Sequence, residues 1–278
     1  MKTCLVLEGG ALRGIYTAGV LDVLLENNVE IDTVIGVSAG ALFGINYVSK
    51  QKGRCLRYNL ENAKNKHYMG FYSWLTTGNI MNEEFCFHKL IYETDPFDFE
   101  TFNQSKKKFY AVVTNIETGK PEYIQIKDSK KDMEYLRASG SMPLVSKVVE
   151  INGKKYLDGG VADSIPYVWA KENGYDRIIM VETRPIDYVK NESNMTPFKM
   201  KYKKYPNLIK TLQERPRVYN ETTKLIREEE GKNCFVIRPS RLVNIKRIEH
   251  DRRKIQEMYD LGVEDAKNAL KNLIKYIQ

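Results

Sequence analysis

Short apolar runs alternate with helix-spaced segments along the first fifty residues. Thr3-Cys4-Leu5-Val6-Leu7 is an unbroken run of the kind found in strands buried on both faces. Gly9-Gly10-Ala11-Leu12-Arg13-Gly14 interrupts it. Ile15 to Glu26 then places Ala18, Leu21, Val23, Leu24 and Leu25 largely on one side of a helix, which Asn27-Asn28 closes. Thr33-Val34-Ile35-Gly36 reads as a second buried strand and Ala41 to Val48 as a second helix. This strand–helix–strand order implies parallel strands joined by a right-handed crossover.

The pattern predicts further strands at Phe109 to Val113, Tyr123 to Ile126, Arg177 to Glu182 and Cys234 to Ile237. Val148 to Ile151 and Lys154 to Leu157 flank Asn152-Gly153, a strong two-residue hairpin signal. Helices are expected over Asp132 to Ser139, Pro166 to Asn173 and Asn244 to Tyr276. The whole chain, 1–278, reads as a single domain. Its core covers about 3–182, and a strand and terminal helix of about 234–277 pack back onto it. Residues 187–230 are the least core-like stretch and form a basic excursion before the last strand.

Composition narrows the class. Lys+Arg number 44 and Asp+Glu 36, a net charge of +8, which favours anionic partners: phosphate, a membrane surface or nucleic acid. The longest charge-free stretch, Thr33 to Ser49, is too short and too interrupted by Gly and Ser to span a bilayer. The apolar run after Lys2 ends at Glu8, too early for a secretory signal. Cys4, Cys55, Cys86 and Cys234 have no metal-type spacing, and the only histidines are His67, His88 and His250. No metal and no cofactor is expected, and the thiols read as reduced and structural in a cytoplasmic protein.

Three motifs carry chemistry. Gly36-Val37-Ser38-Ala39-Gly40 is a G-x-S-x-G between an apolar strand and a helix, the setting of a nucleophile elbow. Small residues on either side of Ser38 let the strand turn sharply into the helix and lift the hydroxyl into reach. Glu8-Gly9-Gly10-Ala11-Leu12-Arg13-Gly14 has three competing readings. A dinucleotide fingerprint wants Gly at the place of Ala11, and a P-loop wants Lys-Ser/Thr where Ile15-Tyr16 stand. An oxyanion hole wants free backbone N–H groups on a strand adjacent to the nucleophile's, and each such donor contributes about 2.7–4 kcal/mol at an acyl-transfer transition state. Asp158-Gly159-Gly160, just past the hairpin, presents a carboxylate from a stiff support, although Asp before Gly-Gly also makes ordinary turns.

Together these blocks resemble the patatin-like phospholipase family. Gly9-Gly10-Ala11-Leu12-Arg13-Gly14, Gly36-Val37-Ser38-Ala39-Gly40 and Asp158-Gly159-Gly160 match its three blocks in order. Leu136 to Pro143 is similar to the Ala-Ser…Pro block that precedes the family's catalytic Asp, and Ser164-Ile165-Pro166 also fits. The resemblance spans about Cys4 to Tyr167, and the tail from Val236 to Gly262 looks like the short bacterial members. It implies a three-layer α/β/α fold with a mainly parallel central sheet, and a Ser38–Asp158 dyad hydrolysing acyl esters of lipids. The loop Gly9 to Gly14 would be its oxyanion hole, with N–H groups of Gly10 and Ala11, joined by Ala39, holding the charge. Ala11 departs from the glycine usual at that place. Its N–H survives, but a positive φ there would be strained.

Two rivals remain open on the sequence. Ser38, Asp158 and His250 have the chain order of a Ser-Asp-His triad, but helical spacing puts His250 on the charged side of its segment. A non-catalytic protein that binds anionic lipid or nucleic acid would also carry this charge. On the hydrolase reading the partners are a lipid or acyl-ester substrate and peripheral contact with an anionic membrane, with no nucleic acid. Phe198 to Val218 interleaves Lys199, Lys201, Lys203, Lys204, Lys210, Arg215 and Arg217 with aromatics, which suits a lipid interface, single-stranded nucleic acid or a solvated face. Tyr68 to Phe87 is rich in aromatics, as a core segment or the cap of an acyl pocket would be.

Overall fold

A computed structural model describes residues 1–278. The first half runs β1 (Thr3–Leu7), α1 (Ile15–Glu26), β2 (Thr33–Val37), α2 (Ala39–Val48), α3 (Arg54–Glu61), α4 (Phe71–Thr77), a π-helix (Phe85–Thr94), α5 (Phe99–Gln104), β3 (Lys108–Asn115) and β4 (Pro121–Gln125). The second runs α6 (Met133–Ser139), β5 (Val149–Ile151), β6 (Lys154–Asp158), α7 (Tyr167–Glu172), β7 (Arg177–Val181), α8 (Thr196–Lys201), α9 (Pro206–Glu229), β8 (Cys234–Ile237) and α10 (Arg252–Ile277).

β1 lies at the centre because all five of its residues can be buried on both faces. β2 and β7 pair with it in parallel on either side, β3 extends the parallel set beyond β2, and β8 extends it beyond β7. α1, α2 and α10 cover one face, where Leu5, Leu7, Tyr16, Leu24, Phe43 and Met258 share a core. α7 and α9 cover the other, where Val6, Ile35, Met180, Ala170, Tyr219 and Ile226 meet. This is the three-layer α/β/α arrangement expected from the sequence. No helix is long and apolar enough to cross a membrane.

One edge of β3 sets the geometry of the rest. β4 occupies one edge antiparallel, from Tyr110 to Thr114. On the opposite edge β2 runs parallel as far as Val37 opposite Val112, and β6 runs antiparallel as far as Asp158 opposite Val113. The two strands therefore meet tip to tip. The residue after β2 is Ser38 and the last residue of β6 is Asp158, so adjacent β3 residues serve as the ruler that brings them together. The β5–β6 hairpin turns through Asn152 (φ 51°) and Gly153 (φ 75°), the left-handed pair that an Asn-Gly turn supplies.

Three expectations need correction. The terminal helix begins at Arg252, not Asn244. Asp251 accepts from the Arg253 N–H as its cap, and the Glu249 carboxylate takes the N–H groups of Lys246, His250 and Asp251, which holds the preceding stretch in turns. His250 thus lies in a loop and not on a helix face. Residues 187–230 are no excursion, since α9 buries Leu208, Leu212, Pro216, Tyr219, Thr223 and Ile226 along one side.

α1 and α10 cross with their backbones in contact. A Cβ added to Gly262 would fall 2.1 Å from the Tyr16 carbonyl oxygen, and one on Gly19 would fall 2.3 Å from that of Tyr259. The Tyr16 hydroxyl donates to Asp265 and the Tyr259 hydroxyl to Asp22, a reciprocal pair of bonds across the crossing. Gly→Ala in a helix interior ordinarily stabilises by about 1 kcal/mol. At this crossing the sign reverses. Gly262→Ala is expected to destabilise by about 1–3 kcal/mol, the usual cost of overpacking, and to lower the Tm in thermal unfolding. An unchanged or higher Tm would show that the crossing is not in contact.

Candidate active site

Ser38 stands between β2 and α2 with φ 53° and ψ −120°, a strained conformation for a residue with a side chain. Close packing of the elbow enforces it. A Cβ on Gly36 would lie 2.5 Å from the Gly40 carbonyl, and one on Gly40 would lie 2.5 Å from the Leu7 carbonyl. The Ser38 N–H donates to Ser139 Oγ at 2.9 Å, and Ser139 Oγ in turn donates to the Val112 carbonyl at 2.7 Å. Two residues after Ser139, the Ser141 carbonyl accepts from the Asp158 N–H at 2.8 Å. The segment Ser139 to Ser141 thereby holds the backbone of both Ser38 and Asp158.

Ser38 Oγ donates to Asp158 Oδ2 at 2.6 Å, the length of a charge-assisted bond. The other carboxylate oxygen, Oδ1, accepts from the Gly160 N–H at 2.7 Å. Gly159 and Gly160 open a single 3-10 turn, which aims that N–H back at the carboxylate. Burial raises the pKa of Asp158, and the Ser38 hydroxyl, the nearby Arg215 and the Gly160 N–H oppose that rise.

The glycine loop lies beside Ser38. The N–H groups of Gly9, Leu12 and Arg13 are taken up by the carbonyls of Ser164, Arg247 and Gly10. Those of Gly10 and Ala11 have no acceptor in the protein, and both residues line the cavity into which Ser38 opens. Leu12 turns into the core, Gly14 is buried, and Ala39 lines an apolar cavity. Ala11 has φ 50°, so the strain that the sequence made conditional is present. Glu8 is buried. Its Oε1 accepts from the Tyr219 hydroxyl at 2.8 Å and its Oε2 from the Thr183 N–H at 2.5 Å.

Two cavities of opposite character meet at Ser38. One, of about 260 Å³, is lined by Asp158, Arg13, Arg184, Lys190, Arg215 and Arg247, among others. The second, of about 60 Å³, runs under Ala11 and Ser38 between Leu42, Phe43, Tyr58, Tyr68 and Met81. It shares Leu42, Tyr58, Tyr68 and Met81 with a further apolar cavity that reaches Phe87, Leu90 and Phe97. The aromatic stretch Tyr68 to Phe87 is therefore divided. Tyr68 and Phe87 line apolar space, while Phe71, Tyr72, Trp74 and Leu75 on α4 face outward.

Neither cavity at Ser38 contains a histidine. The His250 Nδ1 lies 2.7 Å from the Ala63 carbonyl, and its ring packs toward Gly70, so the structure does not assemble the triad. Sequence reasoning assigned no site role to Arg184, Lys190, Tyr219 or Arg247, and it placed Arg215 only within a basic run. Arg184 and Lys190 come from the segment after β7, Arg215 and Tyr219 from one face of α9 four residues apart, and Arg247 from the loop before α10, so no single motif joins them.

A family model described as patatin-like phospholipase matches residues 5–169. The chain belongs to the patatin-like phospholipase family. Residues 205–278 of this family member match a second model, DUF6363, a domain of unknown function. The chain is 26% identical over 189 residues to the uncharacterized protein YjjU of Escherichia coli K12, covering 66% of this chain and 52% of that one. It is 30% identical over 188 residues to a lysophospholipase nte1 of Aspergillus oryzae, covering 66% of this chain and 12% of that one. This patatin-like chain thus spans about half the length of the first relative and a small part of the second. VipD of Legionella pneumophila superposes with a TM-score of 0.47 at 14% identity, over 98% of this chain and 67% of that structure.

The φ of Ala11 gives a stability test. An L-residue in the left-handed region costs about 1–2 kcal/mol, and glycine does not. Ala11→Gly is expected to raise the Tm, by up to about 1 kcal/mol in stability once the extra chain entropy of glycine is deducted. A lowered Tm would show that Ala11 is not strained.

Proposed function

We propose that this chain is a lipid acyl hydrolase in which Ser38 is the nucleophile and Asp158 the base. The observation that carries the reading is the 2.6 Å bond from Ser38 Oγ to Asp158 Oδ2 at the junction of a polar and an apolar cavity. An acyl chain fits the apolar side and the rest of the ester the polar side, which puts the carbonyl carbon at Ser38.

In the first half-reaction Asp158 takes the Ser38 proton as Oγ attacks the ester carbonyl. The oxyanion forms beside the unpartnered N–H groups of Gly10 and Ala11, and the free N–H of Ala39 at the start of α2 adds a third donor. The intermediate collapses, the leaving alkoxide takes the proton from Asp158, and the acyl group stays on Ser38. In the second half-reaction Asp158 takes a proton from water as the water attacks the acyl-enzyme, then returns that proton to Ser38 Oγ as the acyl–oxygen bond breaks, which releases the fatty acid and restores the free serine. A carboxylate is a weak base, and burial of Asp158 moves it toward the strength this role needs. Phe71, Trp74 and Leu75 stand on one exposed side of α4, next to Met69 and Ile80 of the apolar cavity. They form the face that would rest on a lipid surface.

Two experiments test this. A fluorophosphonate probe is expected to label the protein, and Ser38→Ala to abolish both labelling and ester turnover. Asp158→Asn should lower kcat by about 10²–10⁴-fold, while His250→Ala keeps its turnover. Labelling that persists in Ser38→Ala would remove the mechanism. The second experiment is the pH profile of kcat/KM on a neutral aryl ester. Activity needs Asp158 ionised, and burial raises its pKa, so activity should rise with pH through a value above the roughly 3.9 of an ordinary aspartate. Arg215→Gln removes a cation that holds this pKa down and should move the limb to higher pH. A limb at or below the ordinary value would exclude Asp158 as the base.

A further inference from the structure

The polar cavity at Ser38 holds more positive charge than hydrolysis of a neutral ester would use. Arg13, Arg184, Lys190, Arg215 and Arg247 line it, against the carboxylates of Glu8 and Asp158. Both carboxylates are already engaged, Glu8 by Tyr219 and Thr183 and Asp158 by Ser38 and Gly160. None of the five cations forms an ion pair, and none of their side chains donates a hydrogen bond within the protein. The ion pairs of the molecule, from Lys52–Glu26 to Lys254–Glu249, all involve other residues, and the buried Nε atoms of Arg13 and Arg215 have no acceptor at all.

Such a cluster costs free energy in the folded chain. Burial, with Arg184 and Arg247 nearby, pulls the Arg13 pKa down to about 10. Burial, with Arg215, Arg247 and Arg13 nearby, pulls Lys190 down to about 7. The charged ends are held in place all the same. The Arg184 guanidinium lies 4.2 Å from the centre of the Tyr188 ring and the Lys190 ammonium 4.1 Å from that of Tyr219, so the charges are positioned and not free to drift into solvent. Burial acts on Arg13, Lys190 and Arg215, whereas Arg184 is half-buried and Arg247 exposed at the rim, and unpartnered cations converging on one cavity are what binding a multiply charged anion requires.

We propose that this cavity is a phosphomonoester subsite and that the chain acts on acyl esters whose head group ends in a phosphate dianion. The proposal rests on the hydrolase reading for the position of the ester, because the same cavity opens onto Ser38 and so places the phosphate on the side away from the acyl chain. The four arginines alone exceed the two carboxylates by two charges, which a phosphate of charge near −2 at neutral pH offsets, and Lys190 would take up a proton beside such an anion. A zwitterionic head group would carry its own cation into the cluster and is disfavoured. Arg215, Tyr219 and Arg247 belong to the segment 205–278 matched by the domain of unknown function, so on this proposal that segment builds the wall that reads the head group.

The test uses the Ser38→Ala protein, so that nothing is turned over, with thermal shift and direct binding as readouts. The ligands are a short-chain lysophosphatidic acid, the lysophosphatidylcholine and monoacylglycerol with the same acyl chain, glycerol 3-phosphate and inorganic phosphate. Lysophosphatidic acid is expected to bind at least about tenfold more tightly than the two acyl-matched lipids. Arg184→Gln and Arg247→Gln should each reduce that ratio. Equal binding of the three lipids would overturn the subsite. Inorganic phosphate binding as tightly as lysophosphatidic acid would overturn the lipid assignment in favour of a free-phosphate site. In wild-type protein the kcat/KM for lysophosphatidic acid should exceed that for monoacylglycerol by a similar factor. Absence of turnover on every ester would sink the hydrolase reading, and the binding series would still decide the subsite on its own.

Discussion

The bond between Ser38 and Asp158 depends on the edge of β3, where a parallel strand and an antiparallel one end at neighbouring residues. Side chains that are 120 residues apart in sequence are joined because Val112 and Val113 are adjacent. A slip of one residue in either pairing would turn Ser38 or Asp158 to the opposite face of the sheet. The register is fixed because β2 and its partners Phe109, Ala111 and Val112 on β3 are buried, and because Tyr156, Leu157 and Asp158 at the end of β6 are buried too. Ser139 and Ser141 add a second tie from outside the sheet. A hydroxyl and a carboxylate held from two directions are preorganised with respect to each other.

Electrostatics around this bond are divided by depth. Next to the dyad the protein supplies neutral donors: the N–H groups of Gly10, Ala11 and Gly160. Of the full positive charges, Arg215 comes near Asp158, and the others line the rest of the polar cavity. Glu8 links the two zones. It leaves the end of the central strand, accepts from Thr183 after β7 and from Tyr219 on α9, and so ties the late helix to the earliest strand. The Tyr219 it anchors is the ring against which Lys190 packs.

Much of this was legible in the chain. The elbow could be read because Gly36 and Gly40 answer a steric demand that only small residues meet, and the Asn152-Gly153 hairpin because its φ values need those residues. α9 was hidden for a physical reason. Its buried side is Leu208, Leu212, Pro216, Tyr219, Thr223 and Ile226, a mixed stripe inside a charged sequence, and a proline stands in its middle. The terminal helix was read too long because Ile245 and Ile248 continue an apolar spacing that Glu249 in fact converts to a turn. The five cations could not be read as a group. They are spread from position 13 to position 247, and only the closing of the sheet brings them to one cavity.

The order of strands has a bearing on synthesis. β1 is made first, yet one of its two neighbours, β7, ends at residue 181, and the helix that covers α1 begins at residue 252. While the polypeptide is still growing, the amino-terminal strand and helix leave an apolar edge and an apolar flank open to whatever is nearby, chaperones included. A nascent chain that already carries Ser38 and Asp158 still lacks α9 and Arg247. The polar cavity beside Ser38 is thus completed only after residue 247 has been made, a delay written into the topology itself.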